Sequence, residues 1–529
     1  GYHIFATQNY MSRIRGGHNT FSIRVGIDPI EAPQAKIDLL VALDSDSFHI
    51  HEQDMTPGVG VGIIDAAAAP AQTDRCVPVP FRKMADAGHT NVAALGVTAA
   101  FLGLAKSFVC EAVVAHFGKD TADAEANRAA VDAAYVWAGA VTRPVRRLAP
   151  AGSSVSRLTL NGNEALALGA LSGGVKFCAF YPMSPSTSIM VNLAQHAEKM
   201  GLVVEQAEDE IAAINMAIGA SFSGSRSLTA TSGGGFALMT EGVSLSAMTE
   251  TPVVVVVAQR PGPATGLPTR TEQSDLELVL HAGHGEFPRV IFAPGSIEEC
   301  FTLMVRTFAL AEASQGPVFL LTDQFLADSY RDVQPFELVG DPALVTPQRE
   351  PMAGLYRRYA FTASGVSPRR FPGVTQDLVV ADSDEHDESG HITEDLKLRL
   401  KMVEKRQRKM KVLTDNVVAP DYDGKEAPEV LLVSWGSTKG AVDESASRMR
   451  AEGREVGTLH FSQVWPLVPA QFLDRLRGAR RVVCVEGNAT GQFARLIRRE
   501  TGFSVGSLIT RYDGLPFTPE YIMEGLGHE

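Results

Sequence analysis

Cysteine is scarce and scattered. The 529 residues hold five, Cys76, Cys110, Cys178, Cys300 and Cys484, and no two stand as Cys-x-x-Cys. That removes the local signature of an iron–sulfur cluster, a zinc site or a redox dithiol. Long apolar runs are missing as well: no stretch of about 18 apolar residues occurs, so no membrane-spanning helix is predicted. An excess of basic charge is also missing. Lys and Arg total 48 against 61 Asp and Glu, a formal net charge of -13, without the basic footprint of a nucleic-acid binder. The opening GYHIFATQNY has neither a basic start nor an apolar signal core, so no export signal is visible and a cytoplasmic location is expected. Gly-x-Gly-x-x-Gly and Gly-x-x-x-x-Gly-Lys-Ser/Thr do not occur. GVGVG at 58–62 keeps only the first two glycines in register, weak support for a Rossmann dinucleotide site.

What is present reads as a multidomain α/β protein. With 45% hydrophobic and 21% charged residues, the chain has ordinary globular composition and length for roughly three domains. Residues 1–150 alternate short apolar runs (IDLLVALD, VGVGIID) with Ala-rich helical stretches, and the polar RRLAPAGSSVSR then breaks the pattern. Residues 158–330 carry β-branched strands, VKFCAFYP, LVVEQ, SLTATS, PVVVVVAQ, RVIFAP and PVFLLTD, separated by helical patterns. Continuous apolar strands alternating with helices predict a parallel sheet covered on both faces. Residues 331–427 are a linker or lid segment rich in Pro and Arg, and residues 428–529 form a third, smaller α/β unit.

Within the linker, the acidic run DSDEHDESGHITED fails as a calcium loop. Asp382, Asp384 and His386 fit the first, third and fifth positions, but Asp387 stands where a sharp-turn Gly belongs and Thr393 where a bidentate Glu belongs. It is expected to be a solvated loop. The basic helix after it, LKLRLKMVEKRQRKMK, is expected to be capped by Thr393, with Glu394 and Asp395 in its first turn. Its charges are expected to face solvent.

The chemistry-bearing residues follow successive strands of the middle region, where open parallel sheets place their ligands. YPMSPSTS follows the first strand, with Ser184, Ser186, Thr187 and Ser188 at a helix start. TSGGGFALMTEG follows the third, where Ser232 to Gly235 let a ligand approach the backbone. AQRPGPATGLPTRTEQSDL follows the fourth and carries Arg260 and Arg270. Between the first and third lies VVEQAEDEIAAINMAIGAS, four carboxylates running into an apolar helix. At helical spacing Glu210 shares a face with Ile214, Ala217 and Ile218, so it is drawn inward, whereas Glu208 leans out and Glu205 ends the strand. Glu208 and Asp209 suit a helix N-terminus. An inward Glu210 is either functional or a buried structural acid; the pattern alone leaves both open.

These motifs, with DSDEHDESGHITEDLKLRLKMVEKR, SRIRGGHNTFSIRVG and VEGNATGQFARLIR, resemble in the same order the α subunit of 2-oxoacid:ferredoxin oxidoreductases. The likeness is nearest to the 2-oxoglutarate branch with γ and α portions fused. It spans nearly the whole chain. It implies a γ-type domain over 1–150, N-terminally incomplete because the family's first strand and Gly-rich turn would precede residue 1. It also implies a pyrimidine-binding thiamine diphosphate domain over 158–330 and a transketolase-C-like domain over 428–529.

The resemblance further implies residue roles. Glu210 falls on the glutamate that grips the aminopyrimidine nitrogen and so drives the proton off the thiazolium carbon. Arg260 matches the arginine that pairs with the 2-oxo acid carboxylate. Ser184 stands where the family commonly has Thr, keeping a hydroxyl for substrate or cofactor. Tyr181, Pro182, Ser232, Gly233 and Gly234 would line the pyrimidine. Arg270 either reaches a distal carboxylate or pairs with Glu272. No metal ligand is expected on this chain. Thiamine diphosphate would be shared with a β subunit that carries Mg²⁺ and a [4Fe–4S] cluster, since no Gly-Asp-Gly…Asn segment is present. The implied reaction is 2-oxoglutarate and CoA to succinyl-CoA and CO₂ with electrons passed to ferredoxin, reversible in principle, in a dimer of αβ units. The γ domain and the basic helix would cover the CoA path, with Arg13 and Arg15 as phosphate candidates. Branched-chain or aryl 2-oxo acids, a different thiamine enzyme and a noncatalytic scaffold are the alternatives.

Overall fold

A computed structural model describes residues 1–13, 16–69, 75–118, 122–141, 147–152, 155–337, 355–374 and 376–527. It is a multidomain α/β protein in two compact units. The smaller comprises Gly1–His3, Arg24–Ile30 and Gln34–Val155. It holds a parallel three-stranded sheet of Leu39–Ala42, Val61–Asp65 and Cys76–Val79, with the Ala-rich helices Thr90–Leu102 and Ala122–Gly139 packed on one another.

The larger unit comprises Ile4–Ile23, Glu31–Pro33 and Ser156–Glu529. Its central seven-stranded sheet runs Gln463–Trp465, Val290–Phe292, Pro317–Asp323, Val253–Gln259, Ser227–Thr231, Phe177–Phe180, Val203–Gln206. Only Gln463–Trp465 is antiparallel. The six strands expected from β-branched runs are all there, and Val253–Gln259 is buried at every position, as helices on both faces require. One apolar core continues from this sheet into the C-terminal five-stranded sheet, joining Val255, Val257 and Phe319 to Val433, Trp435 and Phe461.

A third, four-stranded sheet ties distant segments together. The strand His3–Asn9 pairs antiparallel with Tyr330–Val333, Phe5 opposite Arg331 and Ala6 opposite Tyr330. The Ile4 N–H donates to Asp332 Oδ1 at 2.6 Å, and the Tyr10 hydroxyl donates to Asp328 at 3.0 Å.

Two readings of the 331–427 segment are corrected. The acidic run is solvated only in part: Asp384 and Glu394 are exposed, but Glu385 accepts from Arg406 at 2.9 and 3.0 Å and also pairs with Arg399. His386 is buried, its ring 4.0 Å from that of Tyr359. Local carboxylates here find arginines within the same segment, so folding costs them little solvation. The basic helix spans Leu396–Thr414 and is capped by Asp395, whose carboxylate accepts from Lys397 and Leu398 N–H groups. Thr393 instead accepts from the Asp395 N–H.

Nor do the helix's charges all face water. Lys405 and Lys409 are buried with Nζ atoms each 2.6 Å from a carboxylate oxygen of Glu250, itself wholly buried. Arg358 joins them, donating to the Glu250 carbonyl at 2.6 Å and to Gln315 Oε1 at 3.1 Å. Glu250 and Gln315 both adopt φ 50°, a region side chains rarely enter. Buried cations from the 355–409 segment hold both. Burial alone would raise the Glu250 carboxyl, but Lys409, Lys405 and Arg358 pull it down to about 2. Burial also pushes Lys409 down to about 7, against the attraction of Glu250.

Candidate active site at the strand ends

Four loops leave four neighbouring strands of the central sheet on one edge, those after Phe180, Gln206, Thr231 and Gln259. Parallel strands oblige these loops to share an end of the sheet, so residues up to about 80 positions apart become neighbours.

The four-carboxylate cluster divides by role. Asp209 is the cap of the helix Glu210–Phe222, its Oδ1 accepting from the Ala212 N–H at 2.7 Å. Glu205, Glu208 and Asp209 are exposed. Glu210 opens the helix and is 3% exposed, on the same face as Ala213, Ile214, Ala217 and Ile218. Its Oε1 is buried with no hydrogen-bond partner. A carboxylate oxygen so placed costs several kcal/mol of solvation unless something binds it. The facing wall is the glycine turn: a Cβ on Gly235 would lie 2.4 Å from Glu210 Oε1 and 2.2 Å from Thr231 Oγ1. Only glycine leaves that oxygen in its position.

Ser232 precedes this turn, 1% exposed, its Oγ also without a partner. Gly233 is buried and Gly234 exposed. A Cβ on Gly234 would meet the Ala264 carbonyl at 3.5 Å, so the loop after the fourth strand lies over it. Arg260, at the start of that loop, donates from Nη1 to the Ser184 carbonyl at 2.7 Å and spans to the loop after the first strand. Burial works against its charge, and Asp275 supports it. Ser184 is exposed, joined to Pro185 by a cis peptide bond. Ser186 and Ser188 are used within the fold, Ser186 donating to the Met183 carbonyl and Ser188 accepting from the buried Asn163. Tyr181, 40% exposed, and Pro182 lie at the open end of this loop.

Arg270 stands apart from this group. It donates to Asn9 on the strand His3–Asn9 and packs on Gly514; it forms no ion pair with Glu272. Burial raises the Glu272 carboxyl, and Ser274 hydrogen-bonds to it. Arg13 is exposed, and Arg15 lies outside the described residues. The buried Lys405 and Lys409 are engaged with Glu250, so they do not offer a surface for phosphates.

Three further residues belong to the site, of which only Gly235, within the Ser232–Gly235 run, has a signal in the sequence pattern. Thr231 ends the third strand, its Oγ1 3.8 Å from Met183 Sδ. Gly235 shields Glu210. Asp275 places its carboxyl on Gly233, where a Cβ would lie 2.3 Å from Oδ2. Asp275 reads in TEQSDL as an ordinary helix-start residue; only its contact across the fold distinguishes it.

A buried acid with a free oxygen, an unpartnered hydroxyl beside a glycine turn, and an arginine at the rim form a site that can hold a flat polar heterocycle and orient an anion beside it. Similarity to known proteins points the same way. Residues 168–405 match the family model "Pyruvate flavodoxin/ferredoxin oxidoreductase, thiamine diP-bdg", and residues 1–137 match "Pyruvate ferredoxin/flavodoxin oxidoreductase". The chain is 32% identical to a 2-oxoacid:ferredoxin oxidoreductase subunit alpha of Sulfolobus sp, covering 99% of this chain and 92% of that one. It is 30% identical to the 2-oxoglutarate synthase subunit KorA of Methanothermobacter marburgensis, over 69% of this chain and 96% of that one. The solved 2-oxoglutarate:ferredoxin oxidoreductase from Magnetococcus marinus, with 2-oxoglutarate, coenzyme A and succinyl-CoA bound, superposes with a TM-score of 0.94. That match is 30% identical and covers 100% of this chain and 94% of that one.

Proposed function

The chain belongs to the 2-oxoacid:ferredoxin oxidoreductase α-subunit family, and on that premise we propose that it supplies one half of a thiamine diphosphate site acting on 2-oxoglutarate. The residues fit the cofactor. Glu210 Oε1 is a buried acceptor with no protein partner, as a carboxyl that holds a ring nitrogen requires. Ser232, Gly233 and Gly234 would offer the flat ring a surface without side-chain bulk, with Tyr181 and Pro182 at its border. When bound, thiamine diphosphate would supply a nucleophilic ring carbon and an electron sink for decarboxylation of a 2-oxo acid.

This chain's own groups set the conditions for that chemistry. Glu210 presents Oε1 as a hydrogen-bonding oxygen in a pocket where Ile214, Ala217 and Ile218 exclude water, so a bond made there is not diluted by solvent. Arg260 offers a planar pair of donors to the substrate's carboxylate, with one Nη1 bond to the Ser184 carbonyl fixing its direction. The Ser184 hydroxyl is free for the substrate's oxygen. Arg270, held by Asn9, is assigned at most a distal contact.

The relatives' naming as α subunits supports a partner subunit. To that β subunit we assign the diphosphate and Mg²⁺ grip and the [4Fe–4S] cluster, with ferredoxin and CoA as co-reactants and a dimer of αβ units as the assembly. The KorA relatives and the Magnetococcus marinus neighbour support 2-oxoglutarate over branched-chain or aryl 2-oxo acids. The domain assignments, γ-type over 1–150, pyrimidine-binding over 158–330, lid over 331–427 and transketolase-C-like over 428–529, belong to the same reading.

The observation that carries the proposal is the solitary Oε1 of Glu210. Co-purification with a β-type subunit, followed by thiamine and iron analysis, should give a complex that reduces a dye only with both 2-oxoglutarate and CoA. Glu210→Gln should still assemble but lose turnover. Wild-type rates from that variant would remove Glu210 from the mechanism. Side-by-side assays of pyruvate, 2-oxoisovalerate and 2-oxoglutarate decide the substrate.

A further inference from the structure

Asp275 occupies the position from which an aspartate normally caps the helix behind it, here Leu276–His281, yet its side chain makes no cap hydrogen bond. Its main chain is fixed independently: the N–H donates to Gln259 Oε1 at 3.0 Å and the carbonyl accepts from Val279 N–H at 3.0 Å. The carboxyl therefore has a defined position without using its oxygens. It lies across Gly233, where a Cβ would come within 2.3 Å of Oδ2 and 2.5 Å of Oδ1. Oδ2 is buried and has no hydrogen-bond partner.

Two charged groups act on it, both from the loop after the fourth strand. Burial first and Glu272 second raise the Asp275 carboxyl to about 6, and Arg260 opposes them. Across the glycine turn stands Glu210, two glycines away. Arg260 has no carboxylate within ion-pair distance among the described residues; its one hydrogen bond goes to the Ser184 carbonyl. The Asp275 main chain is tied to Gln259, the residue before Arg260, so the guanidinium and the Asp275 carboxylate stand at the two ends of one loop brought together, without an ion pair among the described residues.

Resting on the reading of Arg260 as the carboxylate binder, we propose that Asp275 is the standing counter-ion of Arg260 and yields to the substrate by taking a proton from solvent. One carboxylate enters the field of Arg260 as another is neutralised, so the local charge is unchanged. Asp275 acts through Arg260 and is a positioning residue. Binding of a 2-oxo acid anion then carries one proton with it. In the substrate-free site Asp275 is ionised above about pH 6. Above that point each pH unit should weaken substrate binding by up to about tenfold, until the pKa of the substrate-bound state is reached.

The test uses the assembled holo-complex, with KM and kcat for 2-oxoglutarate measured from about pH 5.5 to about pH 8.5. For wild type, KM should climb with pH. For Asp275→Asn, KM should be flat and, at about pH 8, several-fold below wild type, with the change in KM rather than kcat. A variant that keeps the wild-type slope, or whose KM rises, overturns the proposal. Arg260→Gln separates the two claims. If it leaves KM unchanged, the reading of Arg260 itself fails; if it raises KM while Asp275→Asn keeps the slope, only the counter-ion role fails. Should Asp275→Asn not assemble, wild-type calorimetry with 2-oxoglutarate in two buffers of different ionisation enthalpy decides. Near pH 7, proton uptake approaching one per site supports the role, and none overturns it.

Discussion

Two glutamates of the larger unit, forty residues apart, are buried almost equally and could hardly be treated more differently. Glu250 is enclosed by Lys405, Lys409 and Arg358. Glu210 faces alanines, isoleucines and a glycine turn, one oxygen unsatisfied. The first is a joint: its charge is neutralised by a segment 155 residues further on, and it pins that segment to the sheet. The second is a vacancy in the hydrogen-bond census that a folding criterion alone would have filled. Burial of an acid therefore says nothing about its purpose; the partner does.

The contrast can be broken from either side. Glu210→Gln should cost the most, a fall in turnover of about a thousandfold, on the order of 4 kcal/mol of barrier. Its melting temperature and thiamine content should stay near wild type, and an equally large loss of stability would place Glu210 with the joints. Glu250→Gln should do the reverse. Leaving buried lysines uncompensated costs about 3–5 kcal/mol, read as a lower urea midpoint with turnover per folded complex intact. Gly235→Ala sharpens the comparison, because the added methyl must displace Glu210 Oε1 or Thr231 Oγ1. A fall in kcat of about ten- to a hundredfold with little change in unfolding is expected.

Lys409→Met should matter least, within about 1 kcal/mol at neutral pH, since burial already resists the charge it removes. Here the sign is specific. The folded pKa of about 7 lies below the ordinary lysine value of 10.5. The unfolded chain thus holds more protons between those values, and wild-type stability should rise across that window. Lys409→Met should lose that rise. Urea titrations at about pH 7 and about pH 9.5 check it.

The strands and the inward turn of Glu210 were legible because they depend on local periodicity: a β-branched run buries itself, and positions 210, 214, 217 and 218 share a helical face whatever surrounds them. The lysines at 405 and 409 were not. A basic helix looks the same in sequence whether its charges meet water or a distant carboxylate, and Glu250 lies 155 residues upstream of Lys405. The acidic run misled although its partners are near in sequence, because no local periodicity shows that Arg399 and Arg406 turn back to claim Glu385. Asp275 was hidden by a locally sufficient explanation, since Ser-Asp-Leu before a helix reads as a cap. The bond it declines is visible only in three dimensions.

The pairing of His3–Asn9 with Tyr330–Val333 sets an order of events during manufacture. The ribbon His3–Asn9 leaves the ribosome well before its mate, which is polymerised more than three hundred residues later, with Ile4 and Asp332 separated by 328 positions. At roughly 5–20 residues per second that is a delay on the order of tens of seconds. Throughout it a naked edge remains available to any passing chain. Until that mate arrives, the ribbon's edge is open to pairing with neighbouring newborn copies.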